Sequence, residues 1–240
     1  MPRPVKRAVT AAVEYGVART GIAAVRALDR DVIGQAHHPR GAAGYVAAWE
    51  MAHRPSNRQR SRWVVSLLGV QPADKVLEIG FGPGLAIAAL TRAGAGHVYG
   101  IDHSGVMLRY ASRRNATAIR DGRVTLIRAS VDQVPAALDR PFDAILAVNS
   151  LGFWPDPGGR LAELRRRLAP GGRIAIASQP RCPGATADTS RDAAREIESL
   201  LAEAGFTHLS SQALPLSPPV ACVLAARPPV SRRQGPVCGP

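Results

Sequence analysis

V-L-E-I-G-F-G-P-G, Val76 to Gly84, followed eighteen residues later by Asp102 at the end of V-Y-G-I-D, decides how this chain folds. Val76, Leu77 and Ile79 read as a short buried strand. The alternate glycines Gly80, Gly82 and Gly84 let the main chain turn tightly and approach a ligand where any Cβ would collide. Leu85 to Ala93 reads as a helix, so the glycines occupy a strand-to-helix turn. In an open α/β sheet such a turn lies at the carboxyl edge of the strands, where ligands bind. Asp102 ends a second apolar strand, Val98 to Ile101, and a carboxylate there can accept hydrogen bonds from both hydroxyls of a ribose. Together the two pieces describe a nucleoside pocket.

The glycine spacing speaks against a dinucleotide. That fingerprint wants glycine at the first, third and sixth loop positions, whereas here the sixth is Leu85 and the extra glycine is the fifth, Gly84. Glu78 also sets a negative charge where a pyrophosphate would lie, but an amino-acid ammonium would be welcome there.

Outward from this core the pattern alternates: strand 75–80, helix 84–93, strand 97–102, helix 105–118, strand 123–128, then a central strand Phe142 to Val148. Such alternation calls for right-handed crossovers and a parallel sheet. Ser104 is placed to cap the helix after Asp102. Leu161, Leu164 and Leu168 mark the buried stripe of a helix ended by Gly171-Gly172, before a strand Arg173 to Ala177. Asp188 to Ala204 is the last helix, and Phe206–Leu214 with Val220–Ala226 makes a closing pair of strands. Upstream, Tyr45 to His53 reads as a short helix with Tyr45 and Trp49 one turn apart, and Asn57 as the cap of a further helix, Arg58 to Leu68, ending at Gly69.

E-I-G-F-G-P-G with Asp102, the segment Asp143 to Asn149, and L-A-P-G-G-R-I-A-I-A at Leu168 to Ala177 resemble the class I S-adenosylmethionine-dependent methyltransferases over roughly residues 60–226. The resemblance implies an α/β, Rossmann-like, seven-stranded, mostly parallel sheet with helices on both faces, its last strand antiparallel, plus an N-terminal helical cap. It implies S-adenosylmethionine as cofactor, with Glu78, Gly80, Phe81, Gly82 and Gly84 around it and Asp102 as the ribose acid. His103 and Met107 would lie near the adenine. Ser130 stands where related enzymes often place an acid for the adenine amino group, with Val131 beside it. Asn149 begins the loop at the methyl end. Phe153 and Trp154, in F-W-P-D, together with Tyr45 and Trp49, are candidates to line an acceptor pocket. R-R-N at Arg113 to Asn115 strengthens a likeness to bacterial methyltransferases of small molecules, quinones and phospholipid amines.

Three divisions are expected: a helical extension over 1–56, the cofactor-binding domain over 57–226, and a disordered, proline-rich tail over 227–240. Val5 to Ile33 has apolar residues three or four apart among arginines, a basic amphipathic helix. It would cover the domain's cleft or a partner subunit, or meet an anionic membrane as a peripheral contact suited to a lipid-like substrate.

The formal charge of +13 comes from 31 basic and 18 acidic residues, and Lys6 and Lys75 are the only lysines. That charge would favour encounters with nucleic acid or anionic lipid without specifying either. Aromatic content of 5% and the absence of an aromatic-basic module argue against specific nucleic-acid binding. Cys182, Cys222 and Cys238 form no C-x-x-C pair, so no metal site or disulfide framework is expected and a reducing cytoplasm fits. No apolar run reaches membrane-spanning length.

The leading functional expectation is a methyltransferase acting on a small-molecule or lipid-like acceptor. The alternative is a basic RNA- or membrane-binding protein using the same fold as a scaffold. Methyl transfer requires no dedicated catalytic residue, and among His37, His38, His53 and His103 spacing singles out no base.

Overall fold

Residues 41–180 and 182–229 are described by the computed structural model of the chain. The expected basic helix over 5–33, His37, His38 and the tail beyond residue 229 lie outside the described residues. The chain divides into two compact units, Met1–Ala47 and Ala48–Pro240. Helix α1 (Gly41–His53) supplies the described part of the first unit, including Tyr45, and its later turns carry Trp49 in the second.

Seven strands, β1 (Lys75–Ile79), β2 (His97–Asp102), β3 (Val124–Arg128), β4 (Phe142–Val148), β5 (Leu168–Ser178), β6 (Thr207–Leu214) and β7 (Val220–Ala226), form one sheet in the order β3-β2-β1-β4-β5-β7-β6. β1 to β5 pair in parallel, and β7 runs antiparallel to both β5 and β6. The expected Rossmann-like sheet is therefore present, with its last strand reversed. Strand order turns back between β1 and β4, so the crevice at their carboxyl ends is the topological switch point.

The period of two along β1 sends Leu77 and Ile79 to one face and Val76 and Glu78 to the other. Leu77 and Ile79 join a buried cluster with Ile145, Ile174 and Ile176, covered by Leu161 and Leu164 of α6 (Pro157–Arg167) and by Ile197 and Leu201 of α7 (Ala187–Glu203). Over the other face, α2 (Pro55–Leu68) packs against α3 (Leu85–Arg92) and against β5, burying Val64, Val65, Leu68, Ile87 and Leu90. Glu78 thus enters the fold on a face otherwise filled by aliphatic side chains.

Some boundaries differ from the sequence reading, each for a local reason. Helix α2 starts at Pro55, whose fixed φ suits a first turn, with Arg54 at the N-cap. Asn57 is inside that helix and donates from Nδ2 to the Met51 carbonyl at 2.8 Å, so it is not the cap. The helix after β2 divides into α4 (Gly105–Arg114) and α5 (Ala116–Arg120) at Asn115, whose Nδ2 donates to the Ala111 and Gly84 carbonyls. Helix α6 stops at Arg167, well before Gly171-Gly172. Leu168 already pairs with Phe142, and the two glycines fall within β5, where Gly171 takes φ +77°.

Candidate functional site

The loop between β1 and α3 is held by its neighbours along its whole length. Gly80 N–H donates to the Ile101 carbonyl at 2.8 Å, Gly82 N–H to Asp102 Oδ2 at 2.8 Å, and Gly84 N–H to the Phe81 carbonyl at 2.9 Å. From α4, Arg114 Nε donates to the Pro83 carbonyl at 2.9 Å and Asn115 Nδ2 to the Gly84 carbonyl at 3.3 Å. The R-R-N segment is therefore a clamp on the glycine loop.

All three glycines have positive φ, +75° at Gly80, +50° at Gly82 and +74° at Gly84, but they serve different ends. A Cβ on Gly80 would stand 2.6 Å from the Ser150 Cβ, and one on Gly84 would stand 2.6 Å from Asn115 Nδ2. Those two glycines make room for the protein's own packing. A Cβ on Gly82 would meet nothing within 4 Å, so the bare main chain faces open space there alone of the three. The Phe81 side chain is buried and lies toward β2, where a Cβ on Gly100 would come 2.8 Å from its ring, leaving only the Phe81 main chain for a ligand.

Asp102 is buried, and each carboxylate oxygen accepts one backbone bond: Oδ2 from Gly82 N–H and Oδ1 from Ser104 N–H, both at 2.8 Å. Burial raises its pKa, opposed by those two bonds and by the His103 imidazole, whose Nδ1 is 3.9 Å from Oδ1. A carboxylate has about four lone-pair sites, so about two remain for a ligand's hydroxyls. Ser104 caps α4 as expected, its Oγ accepting from Met107 N–H at 3.3 Å, and Met107 is buried.

Glu78 is 2% exposed, and its Oε2 has no hydrogen-bond partner among the described residues. Desolvation first, and then repulsion from the Asp102 carboxylate, push its pKa well above the ordinary glutamate range; the Ile87 backbone N–H works in the opposite direction. The two acids are thus electrostatic neighbours across the β1–β2 pair. A buried carboxyl with a vacant oxygen and a second acid nearby favours a cationic ligand group. Without such a cation, the fold favours the neutral form of Glu78 more than the unfolded chain does. Its contribution to stability is therefore fully present below the unfolded-chain pKa and is lost as pH rises through the folded value. Glu78→Gln stays neutral throughout, so its melting temperature without ligand should exceed wild type by more at about pH 8 than at about pH 5. Calorimetric melting at the two pH values checks this, and an equal difference at both would remove the buried-charge account.

On the other side of the crevice, Asn149 holds φ +54°, a left-handed geometry that asparagine tolerates. Its Oδ1 accepts from Gln179 N–H at 2.8 Å, tying the ends of β4 and β5 together. Ser150 Oγ donates to the Ile79 carbonyl at 2.8 Å, tying β4 to β1. Gln179 Oε1 in turn accepts from Arg60 Nη1 at 2.7 Å. These cross-strand links of Ser150, Gln179 and Arg60 were not legible in the sequence, since nothing local marks a serine, glutamine or arginine as reaching across strands.

The remaining candidates separate. Ser130 precedes a short turn, Val131–Gln133, and its hydroxyl bonds Asp132, while the Val131 side chain enters the core. Phe153 is 52% exposed, but Trp154 is 7% exposed and belongs to the core cluster, so the F-W pair does not act as one aromatic wall. Trp49 is half-exposed and stacks on His53 at 4.6 Å, with His53 Nδ1 hydrogen-bonded to the Trp49 carbonyl at 2.7 Å. Tyr45 lies in the first compact unit. No group of His, Cys, Asp and Glu side chains among the described residues could hold a metal ion, and no described helix is long and apolar enough to cross a membrane.

Residues 76–172 match the family model described as a methyltransferase domain. An uncharacterized methyltransferase of Bacillus subtilis, YdaC, is 30% identical over 190 residues, 79% of this chain and 99% of that protein. The ubiquinone/menaquinone biosynthesis C-methyltransferase of Geotalea daltonii is 32% identical over 123 residues, 50% of this chain and 52% of that protein. Among solved structures, the N-methyltransferase NodS of Bradyrhizobium japonicum, in complex with S-adenosyl-L-homocysteine, superposes with a TM-score of 0.61. It is 19% identical, over 75% of this chain and 91% of that one, a likeness of fold.

Proposed function

The chain belongs to the S-adenosylmethionine-dependent methyltransferases, and from that premise we propose that it methylates a small-molecule or lipid-like acceptor at the crevice between β1 and β4. When bound, the cofactor supplies a methyl group already activated by the positive charge of its sulfonium sulfur. What the chain supplies is position. Asp102 uses its two remaining lone-pair sites for the ribose hydroxyls, beside the open main chain at Gly82. Glu78 meets the cofactor's amino-acid ammonium, which gives its Oε2 a partner and favours the ionised form. His103 and Met107 follow Asp102 at the start of α4 and flank the adenine together with the Ser130–Val131 main chain. The observation that carries the cofactor assignment is the pairing of a buried carboxyl whose Oε2 has no partner among the described residues with an open glycine main chain one strand-end away.

Orientation of nucleophile and methyl carbon can account for about 7–11 kcal/mol of the barrier, and Asn149, fixed by Gln179 at the end of β4, begins the loop that would impose it. Phe153, exposed four residues later in that loop, and Trp49 offer apolar surface for an acceptor. An apolar acceptor of moderate size also agrees with the quinone-pathway C-methyltransferase among the relatives. Peripheral contact with a membrane through residues 5–33 would bring a lipid-like acceptor to the site.

The test is incubation of the purified chain with cofactor radiolabelled in its methyl group and a cell extract, separated into lipid, small-molecule, RNA and protein fractions. Label is expected in the lipid or small-molecule fraction. Label confined to RNA or protein would overturn the acceptor assignment while leaving the cofactor site intact.

A further inference from the structure

We propose that a second ligand site lies at the opposite, amino edge of the sheet, where a cleft of about 470 Å³ is lined by arginines and fits a small polyphosphate-type anion. Asp139, Arg140 and Pro141 enter it just before β4, Glu163, Arg166 and Arg167 from the end of α6, and Arg227 from beyond β7. β4 spans seven residues, about 20 Å, between this cleft and Asn149, so a small ligand here touches nothing at the methyl-transfer crevice. The site stands independently of the function proposed above.

Four guanidinium groups border the cleft against two carboxylates, and Arg167 takes both of those, Glu163 at 3.2 Å and Asp139 at 3.5 Å. Among the described residues Arg140, Arg166 and Arg227 have no carboxylate within ion-pair distance. Two of those three are held in place by uncharged partners. Arg140 donates to the Tyr99 hydroxyl at 3.0 Å and to the Ala137 carbonyl at 2.9 Å, with its guanidinium carbon 5.2 Å from the Tyr99 ring centre. Arg227 Nη1 donates to the Arg166 carbonyl at 3.0 Å and to the Leu168 carbonyl. Satisfying the carbonyl end of α6 accounts for Arg227, but it accounts for neither the Arg166 side chain nor Arg140.

Like charges gathered around one concavity repel, and an anion that bridges them relieves that repulsion. Guanidinium forks match phosphate oxygens, and cations arriving from separate chain segments suit linked phosphates better than a single carboxylate. The volume falls in the range usual for small-molecule sites, about 300–1,000 Å³.

The probe is inorganic pyrophosphate, titrated calorimetrically into the full chain at about 0.15 M salt so that diffuse attraction is screened. Saturable one-site binding is expected, weakened about tenfold or more by Arg166→Glu and by Arg140→Gln, while S-adenosyl-L-homocysteine binds both variants as it binds wild type. The homocysteine arm shows that each variant is folded, and either variant alone suffices if the other fails to fold. No heat with pyrophosphate, or equal affinity in a folded variant, overturns the site. Tight binding of a short single-stranded RNA with no response to pyrophosphate overturns it in favour of a nucleic-acid surface.

Discussion

Asp102→Ala should abolish measurable methyl transfer and weaken S-adenosyl-L-homocysteine about a hundredfold or more, because hydrogen bonds to a charged acceptor contribute about 1.5–3 kcal/mol each and two ribose hydroxyls would lose theirs. The substitution also releases Gly82 N–H and Ser104 N–H, which now donate to the two carboxylate oxygens. The first holds the glycine loop against β2, so ligand geometry is damaged as well as ligand contact. Asp102→Asn separates the two effects. Its amide oxygen still accepts one backbone bond, but its NH₂ opposes the other N–H, so an intermediate loss of about tenfold is expected. The removal of a neighbouring negative charge should at the same time lower the Glu78 pKa, since repulsion from Asp102 is one of its causes. Calorimetric titration of each variant measures the affinities. Unchanged binding by Asp102→Ala would remove this carboxylate from the site.

The strands around this acid were legible because buried parallel strands leave nearly continuous apolar runs, and V-L-E-I before three glycines has few other readings. The end of α6 was hidden for the same reason. Leu161, Leu164 and Leu168 keep helical spacing, yet Leu168 is the first residue of β5, and an apolar residue that satisfies both periods cannot reveal which one it obeys. Asn57 carried a capping residue's chemistry, but Pro55 two places earlier set the start of the helix. Phe153 and Trp154 are adjacent in sequence and opposite in burial, because the turn Leu151–Phe153 rotates one to solvent and the other into the core. Asp102 was legible as a candidate because strand-end acids are a local signal. The locks that shape the crevice, Ser150 to Ile79 and Asn149 to Gln179, join residues distant in the chain and leave no such trace.

The glycines themselves were read as three equivalent approaches to a ligand, and the structure divides them in a way that substitution can test. In Gly84→Ala the new Cβ would stand 2.6 Å from Asn115 Nδ2, 2.8 Å from the Ala111 Cβ and 3.0 Å from the Ala111 Cα, at φ +74°. The Ala111 main chain is inside α4 and cannot turn aside, so α3 and α4 must separate. Left-handed strain of about 1–2 kcal/mol and overpacking of about 1–3 kcal/mol together predict a loss of about 2–5 kcal/mol. For a chain of this size that corresponds to a melting temperature lower by about 5–15 °C. Gly82→Ala meets nothing within 4 Å at φ +50°, so it bears only the conformational strain and should melt within about 5 °C of wild type. Its methyl group stands in the open space assigned to the cofactor, and S-adenosyl-L-homocysteine binding should fall about a hundredfold while the fold persists. The decisive comparison is therefore crossed: the variant that melts like wild type is the one that loses the ligand. If Gly82→Ala binds normally, the open main chain is not the cofactor's cradle; if Gly84→Ala melts like wild type, the packing assigned to that glycine is wrong.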